Sequence, residues 1–311
     1  MTPTIYTGLT ESEWLALRRR NLNSSEVAAL FGLSPYATEY ELWHRKAGLL
    51  PEAEVGGDRV EAGQFLEPAI ASWAAARHGW EARPFKDYYE IGAERVGSSF
   101  DWEILDWPDD PLTLCGHGIL EVKNTDWLQF RQKWNDDGEL MAPPHIELQV
   151  QHQLWVSGRQ WAVIVVLVGG NDLRVTVRIR NEVIIGKIRD RCAAFWASVD
   201  AGTPPDPDYT RDGDAIRALY ARPDPRATMP PETHDRAMKL IAAATAAAVR
   251  KKACEAEEDA AKAEIMDLLR EVEVAVFPDG SKVSWKANAK GSRVLRLTAA
   301  KAASPAQEDA A

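Results

Sequence analysis

Gly116-His117-Gly118-Ile119-Leu120-Glu121-Val122-Lys123-Asn124 is the stretch from which the rest of the chain can be read. It predicts a short strand, and residues two apart on a strand project from the same face of the pleat. Glu121 and Lys123 therefore stand side by side. A carboxylate and an ammonium so placed would usually be a solvated ion pair, but here the flanking residues are apolar or glycine. A second acid, Asp101, ends an earlier strand-like stretch, Arg95-Val96-Gly97-Ser98-Ser99-Phe100-Asp101. Two acids and a lysine converging on one strand edge would make a site for a divalent metal and an activated water.

Composition sets the frame around that strand. A chain of 311 residues is long enough for one large domain with an appendage, or for two domains. Apolar residues at 45% and twelve Trp imply a substantial folded core. The longest purely apolar run, Ala162 to Val168, is far too short for a membrane span. Met1-Thr2-Pro3-Thr4-Ile5-Tyr6 has neither a basic nor an apolar leader region, so no secretory signal is expected. Cys115, Cys192 and Cys254 are few, odd in number and far apart, which excludes a zinc pattern, a disulfide framework and a four-cysteine iron–sulfur cluster. That usage suits a reducing cytoplasm.

The formal net charge of −10 argues at first against a nucleic-acid partner. Its distribution matters more. From Pro230 onward 13 Lys and Arg balance 13 Asp and Glu, so the excess, 24 against 34, lies in residues 1–229. A metal site needs carboxylates, and only the track a nucleic acid occupies must be basic. The charge lowers that expectation without excluding it.

Taken in order, residues 9–22 predict a short helix running into Arg18-Arg19-Arg20. Asn23-Ser24-Ser25 then offers N-cap chemistry for a helix from Glu26 to Phe31, closed by Gly32. A serine hydroxyl beside arginines at a helix start is a plausible phosphate site, although on its own an ordinary cap is the simpler reading. Thr38-Glu39-Tyr40-Glu41 has capping-box form and opens a helix ending at Gly48. A polar loop, Pro51 to Gly57, precedes a helix from about Val60 to His78, with Leu66, Ile70, Trp73 and Ala74 as its buried face. Glu67, beside that stripe, reads either as a first-turn acid favoured by the helix dipole or as a carboxylate aimed at the site.

Trp80 to Gly92 and Glu94 to Asp101 alternate like a pair of strands, and Asp106 to Leu114 reads as a loop. Trp127 to Trp134 is irregular. Pro143-Pro144 opens a helix from about His145 to Val156, capped by Gly158. Several glutamines on this largely buried helix are unusual, because buried amides need partners. Trp161 to Val168 has the unbroken apolar pattern of a central strand, and Leu173 to Arg180 that of its half-solvated neighbour. Asn181 to Ala201 is an amphipathic helix. Pro204 to Pro231 holds seven prolines and is the expected domain boundary. Beyond it come a long helix or helical hairpin, His234 to Arg270, small hairpin strands around Asp279-Gly280, and a frayed end from Thr298. The order of elements implies an α/β core with a mixed central sheet and helices on its faces.

These residues carry a resemblance. Arg18…Ser25-Glu26-Val27, Gly32-Leu33-Ser34-Pro35-Tyr36, Glu41-Leu42-Trp43…Gly48 and Gly63-Gln64-Phe65-Leu66-Glu67-Pro68 occur in order. Ser99-Phe100-Asp101, Leu120-Glu121-Val122-Lys123 and Gln149-Val150-Gln151-His152-Gln153-Leu154-Trp155-Val156 come after them. Over about residues 14–200 the chain resembles the phage-type recombination exonucleases of the YqaJ and lambda-exonuclease group, in the PD-(D/E)XK nuclease superfamily. The resemblance implies an α/β, restriction-endonuclease-like core over residues 1–209; composition and pattern place a Pro-rich linker over 210–231 and a helical and small-β appendage over 232–311. It implies that Asp101, Glu121 and the backbone carbonyl of Val122 ligate Mg²⁺, with Mn²⁺ as a substitute. Glu67 would hold a second metal or a metal-bound water. Lys123 would orient or deprotonate the attacking water, Gln149 would position that region, and Arg18 with Ser25 would hold a 5′-phosphate. Phe100 replaces the superfamily's nominal proline, and the loop between Asp101 and Glu121 is long, so Glu103 and Asp106 are rivals to Asp101.

The activity implied by the resemblance is that of a Mg²⁺-dependent exonuclease, degrading linear duplex DNA 5′ to 3′ and leaving 3′ single-stranded tails. Its expected partners are DNA ends, a single-strand annealing recombinase and other copies of itself in a ring, in the cytoplasm of a bacterial host carrying a phage or prophage. An endonuclease on the same core is one alternative. A non-catalytic DNA-end or partner-binding protein, with the acids and lysine as a relict ion network, is the other. Removal of either carboxylate is expected to abolish activity and spare the fold, because the acids repel one another without metal.

Overall fold

A computed structural model describes residues 2–52, 56–108, 114, 116–134 and 138–300. Part of the polar loop before residue 57, most of the loop expected from Asp106 to Leu114, Cys115, and the frayed end from residue 301 lie outside the described residues. The chain divides into two compact units, Met1–Arg222 and Pro223–Ala311.

The first unit runs β1 (Thr4–Tyr6), α1 (Glu11–Arg20), β2 (Leu22–Asn23), a 3-10 turn (Val27–Phe31), α2 (Glu39–Lys46) and α3 (Asp58–His78). It continues through β3 (Glu81–Pro84), β4 (Tyr88–Ile91), β5 (Val96–Ser98), β6 (Trp102–Asp106) and β7 (Gly118–Thr125). Then come α4 (Trp127–Lys133), α5 (Pro144–Ser157), β8 (Trp161–Val168), β9 (Asp172–Ile179), α6 (Glu182–Asp200) and α7 (Gly213–Leu219). The mixed α/β architecture expected from the pattern is present. Its strands, however, form two sheets. A five-stranded sheet has the order β3-β6-β7-β8-β9, and a four-stranded one the order β1-β4-β5-β2. The pair of strands expected over 80–92 and 94–101 is present as β4 against β5; the first segment also supplies β3, which joins the other sheet against β6.

β8 is buried along its whole length, parallel to β7 and antiparallel to β9. Its alternate residues supply two different cores. Ala162, Ile164, Val166 and Val168 pack with Ile146, Val150 and Leu154 of α5. Val163, Val165 and Leu167 pack with Ile70, Ala71 and Ala74 of α3 on the opposite face. A third core joins Trp155 and Val156 of α5 to β2, the 3-10 turn and Ile185, Ile188 and Phe195 of α6. α5 is therefore covered on more than one side, which is why its apolar residues do not form a single stripe. Pro144 stands in its first turn, and Gly158, at φ 74°, ends it in the left-handed conformation. Gly118 is required at the start of β7, because a Cβ there would lie inside the Trp161 ring.

Local chemistry differs from expectation in two places. Residues 127–133 form a helix, N-capped by the Asp126 side chain on Gln129 N. The 3-10 turn after Ser25 has Glu26 at its cap position and no side-chain cap bond, so Ser25 is not an N-cap. Residues 208–219 belong to the first unit: Thr38 donates to Asp212, and Arg211 donates to the Ser34 carbonyl at 2.7 Å.

The second unit contains α8 (His234–Leu269), a single helix of 36 residues, and an antiparallel sheet of β10 (Val274–Val276), β11 (Lys282–Ala287) and β12 (Arg293–Thr298). Arg293 lies 3.6 Å over the Trp285 ring and donates to the Arg270 and Val272 carbonyls, tying the helix end to the sheet. Among the described residues no helix is long and apolar enough to cross a membrane.

Candidate active site

The site lies where β6 and β7 part. Their ladder pairs Ile104 with Gly118, Glu103 with Ile119 and Trp102 with Leu120. Beyond it, the next β7 residue facing that edge is Val122. Its N–H donates to Asp101 Oδ2 at 2.9 Å. A residue's N–H and C=O in a strand point to the same edge, so the Val122 carbonyl also faces the Asp101 side rather than β8.

Glu121 and Lys123 project from the face covered by α5. Glu121 is 0% exposed, and three donors hold its carboxylate. Lys123 Nζ and Gln149 Nε2 both donate to Oε1, the amide at 2.6 Å, and Gln153 Nε2 donates to Oε2 at 2.7 Å. Gln149 and Gln153 are one helical turn apart, which is what lets α5 reach both oxygens. Burial alone would lower the Lys123 pKa, but the Glu121 and Asp101 charges outweigh it and hold the ammonium above its ordinary value.

Asp101 is in the opposite condition. Burial first, then the Glu121 charge, push its carboxyl up to about 8; Lys123 and the Val122 N–H only partly offset this, and Glu67 adds to it. Glu67 arrives from the other face of the sheet. It is the tenth residue of the 21-residue helix α3, which removes the first-turn dipole reading. The buried stripe of α3 is Ile70, Ala71 and Ala74, whereas Leu66 and Trp73 are exposed, at 37% and 41%. Glu67 extends that buried stripe by one turn, and so points toward the sheet. Its carboxyl is raised by burial, hydrogen-bonded to Trp102, and acted on by the charges of Glu121 and Lys123.

The rivals to Asp101 lie elsewhere. Glu103 is buried in ion pairs with Arg83, at 2.6 Å, and Arg159. Asp106 is exposed at the far end of β6, opposite Glu81.

Arg18 and Ser25 meet one another: Arg18 Nη2 donates to Ser25 Oγ at 3.3 Å, and the guanidinium lies 4.8 Å from the Trp14 ring centroid. Trp14 Nε1 donates to Ser99 Oγ at 2.8 Å. Ser24 bonds Ser98 at 2.7 Å and His152 Nδ1 at 2.9 Å. These bonds connect the Arg18 and Ser25 flank to the segment that leads into Asp101 and to the helix that holds Glu121. Because Ser98 donates to the Ser99 carbonyl, Ser24 donates to Ser98 and His152 Nδ1–H donates to Ser24. His152 Nε2 is then a buried lone pair without a partner.

A divalent cation can be tested against this donor set. Carboxylates of Asp101, Glu121 and Glu67 with a backbone carbonyl are the hard oxygens that Mg²⁺ takes, and the Asp101 carboxyl is raised first by burial and then by the Glu121 charge, which Lys123 only partly offsets. Among the described residues no three His, Cys, Asp or Glu side chains stand close enough to grip one ion. Lys123 and two amides occupy the Glu121 oxygens. The donor chemistry fits a hard cation, with the Lys123 ammonium now bonded to one of its oxygens.

Gln153 and Trp102 belong to the site, although the sequence assigned neither of them a role in it. The spacing of Gln149 and Gln153 signals the first. No sequence pattern signals the contact between Trp102 and Glu67, which joins β6 to α3.

Residues 13–160 match the family described as "YqaJ-like viral recombinase domain". A curated relative, "Uncharacterized protein YqaJ" of Bacillus subtilis (strain 168), is 27% identical over 190 residues, 60% of this chain. The match spans 56% of that protein, so the chain covers little more than half the length of this relative. Among solved structures, the alkaline exonuclease LHK-Exo from Laribacter hongkongensis is similar at 19% identity over 67% of this chain and 100% of that one, with a TM-score of 0.46. A phage-related exonuclease from Haemophilus somnus 129PT is similar at 12% identity over 58% of this chain and 94% of that one, with a TM-score of 0.38.

Proposed function

With residues 13–160 matching the YqaJ-like viral recombinase domain family, we propose that the protein is a divalent-metal-dependent deoxyribonuclease. We read it as a 5′ to 3′ exonuclease that leaves 3′ single-stranded tails on linear duplex DNA. The observation that carries this reading is the convergence of Asp101, Glu121, Lys123 and Glu67 where β6 and β7 part.

A phosphodiester is anionic, and a nucleophile reaches it only where charge is neutralised. Mg²⁺, or Mn²⁺ in its place, held by Asp101, Glu121, Glu67 and the Val122 carbonyl would supply that neutralisation and acidify a water. Gln149 and Gln153 fix the plane of the Glu121 carboxylate before substrate arrives. Lys123, which its acidic neighbours hold charged in the metal-free protein, orients the attacking water or pairs with a phosphate oxygen. Arg18 and Ser25 would take a terminal 5′-phosphate through a guanidinium and a hydroxyl. An annealing recombinase receiving the tail, and a ring of copies around the duplex, are consistent with that product.

The test is hydrolysis of end-labelled linear duplex against covalently closed circles, with and without Mg²⁺. The proposal expects Mg²⁺-dependent release of nucleotides from linear DNA, lost in Glu121→Ala and Lys123→Ala, and intact circles. Cut circles would make the protein an endonuclease. No hydrolysis, with no heat on titrating Mg²⁺ or Mn²⁺, would make the carboxylates and lysine an ion network in a binding protein.

A further inference from the structure

The molecule carries a cleft that the metal and phosphate chemistry leaves unused, and His145 in its wall lies within reach of the Lys123 charge. It has a volume of about 380 Å³ and lies between the loop after the 3-10 turn, the end of α4 and the start of α5. Ser34, Pro35, Lys133, His145 and Arg211 line it. Lys133 pairs with no carboxylate among the described residues, and Arg211 spends one guanidinium nitrogen on the Ser34 carbonyl. At the rim, directly after Pro35, stands Tyr36.

Tyr36 is 81% exposed, the largest exposure of any large hydrophobic side chain among the described residues. It is nevertheless placed. Its ring meets His145 edge-to-face, with centroids 5.9 Å apart and planes at 84°. Such exposure leaves a ring face open to solvent. Tyr36 and His145 both lie close enough to Lys123 to feel its charge. The Lys123 side chain is 28% exposed.

An open, edge-braced aromatic face beside two cations and a phosphate-binding ammonium has the chemistry of a single-strand site. Base faces stack on aromatic rings whatever the sequence, and cations follow the backbone. We propose that Tyr36 is a stacking platform for an unpaired nucleobase, that of the nucleotide adjoining the phosphate at Lys123, and that Lys133 and Arg211 track the same strand through the cleft. The inference rests on the nuclease reading for its orientation. A base on Tyr36 has left the duplex stack, so the strand is opened at the site and not before it.

The experiment measures binding of a fluorescent single-stranded octanucleotide in EDTA, where hydrolysis is blocked, by the full chain and by Tyr36→Ala and Tyr36→Trp. A second probe of equal length carries abasic sugars. Loss of one stacked base weakens binding roughly 5- to 150-fold. Tyr36→Ala should therefore bind the natural probe weaker by that factor and the abasic probe as the wild type does, while Tyr36→Trp binds both as the wild type does. Substitution of so exposed a side chain leaves the core untouched, and circular dichroism checks this. Equal binding of the natural probe by wild type and Tyr36→Ala overturns the proposal. Equal loss on both probes also overturns it, because the tyrosine would then serve the backbone. Hydrolysis of linear duplex by the wild type is scored separately. Activity without a Tyr36 effect sinks the platform and keeps the nuclease; a base-dependent Tyr36 effect without hydrolysis does the reverse.

Discussion

The two sides of the β7 edge support their carboxylates in opposite ways. On the α5 side, Glu121 is fully buried and each oxygen has a donor. On the side where β5 passes into β6, Asp101 has the Val122 N–H and two acidic neighbours, and its carboxyl is pushed up to about 8. One carboxylate is built into the fold; the other is held against it. The contrast separates the requirement for charge at the site from the requirement for charge in the core. It also corrects the sequence-based expectation that either acid could be removed without harm to the fold.

Glu121→Ala should give the largest effect. It strands the buried Gln153 amide and leaves Gln149 and the partly exposed Lys123 ammonium without their carboxylate; breaking a fully buried charged pair costs about 3–5 kcal/mol, and the exposure of Lys123 moves the cost toward the low end. Urea denaturation should show that loss together with the loss of activity. Asp101→Asn should abolish activity as completely and yet stabilise the metal-free protein at high pH. Unfolded, the carboxyl ionises near 3.9, whereas folded it keeps its proton to about 8. Between those values the folded state binds more protons than the unfolded state, so wild-type stability falls as pH rises, by up to about 1.4 kcal/mol per pH unit. The asparagine variant should lose that slope. Mg²⁺ should flatten it in the wild type and leave the variant unchanged. Thermal unfolding from pH 5 to 9, with and without Mg²⁺, measures both. A wild-type slope that Mg²⁺ does not touch would remove Asp101 from the ligand set.

His152 gives the opposite slope. Burial, only partly offset by Glu26, holds its pKa down to about 3, against about 6.5 unfolded. Its contribution is complete above about 6.5 and is lost as pH falls toward 3, because only the unfolded state takes up the proton. His152→Asn should remove acid sensitivity of up to about 1.4 kcal/mol per pH unit, read as a smaller drop in melting temperature between pH 7 and 5. An unchanged drop would place the acid sensitivity in other groups.

How legible the fold and site were depended on whether the signal lay along the chain or across it. The buried run Trp161 to Val168, the Pro144 start and Gly158 stop of α5, and the extent of the amphipathic helix α6 are local chemistry, and the structure has them where the sequence placed them. The division into two sheets was not legible, because β1 pairs with β4 and β2 with β5 across more than seventy residues. Beside Glu67 it was the buried stripe of α3 that was misread. Trp73 looked like core but faces solvent, and the true stripe, Ile70, Ala71 and Ala74, carries Glu67 with it. Gln153 was visible as a buried amide in need of a partner; that its partner is Glu121 depends on how α5 lies across β7. Ser25 looked like a cap because Ser-Glu before an apolar run usually is one, but its hydroxyl accepts from Arg18 instead.

That exchange of roles sets the smallest and most selective effect. The Ser25 hydroxyl and Arg18 guanidinium are bonded to one another, and Trp14, anchored on Ser99, lies against the guanidinium. A hydrogen bond to a charged group contributes about 1.5–3 kcal/mol, and Arg18 is only half-buried, so solvent screening favours the low end. Arg18→Ala should therefore lower the preference for 5′-phosphoryl over 5′-hydroxyl ends roughly tenfold, and should leave stability nearly unchanged. The ratio of kcat/KM on the two ends measures it. Loss on phosphorylated ends alone would assign Arg18 to the terminal phosphate. Equal loss on both ends would move it to the general backbone track, and the contrast between built-in and held charge would then stop at the β7 edge.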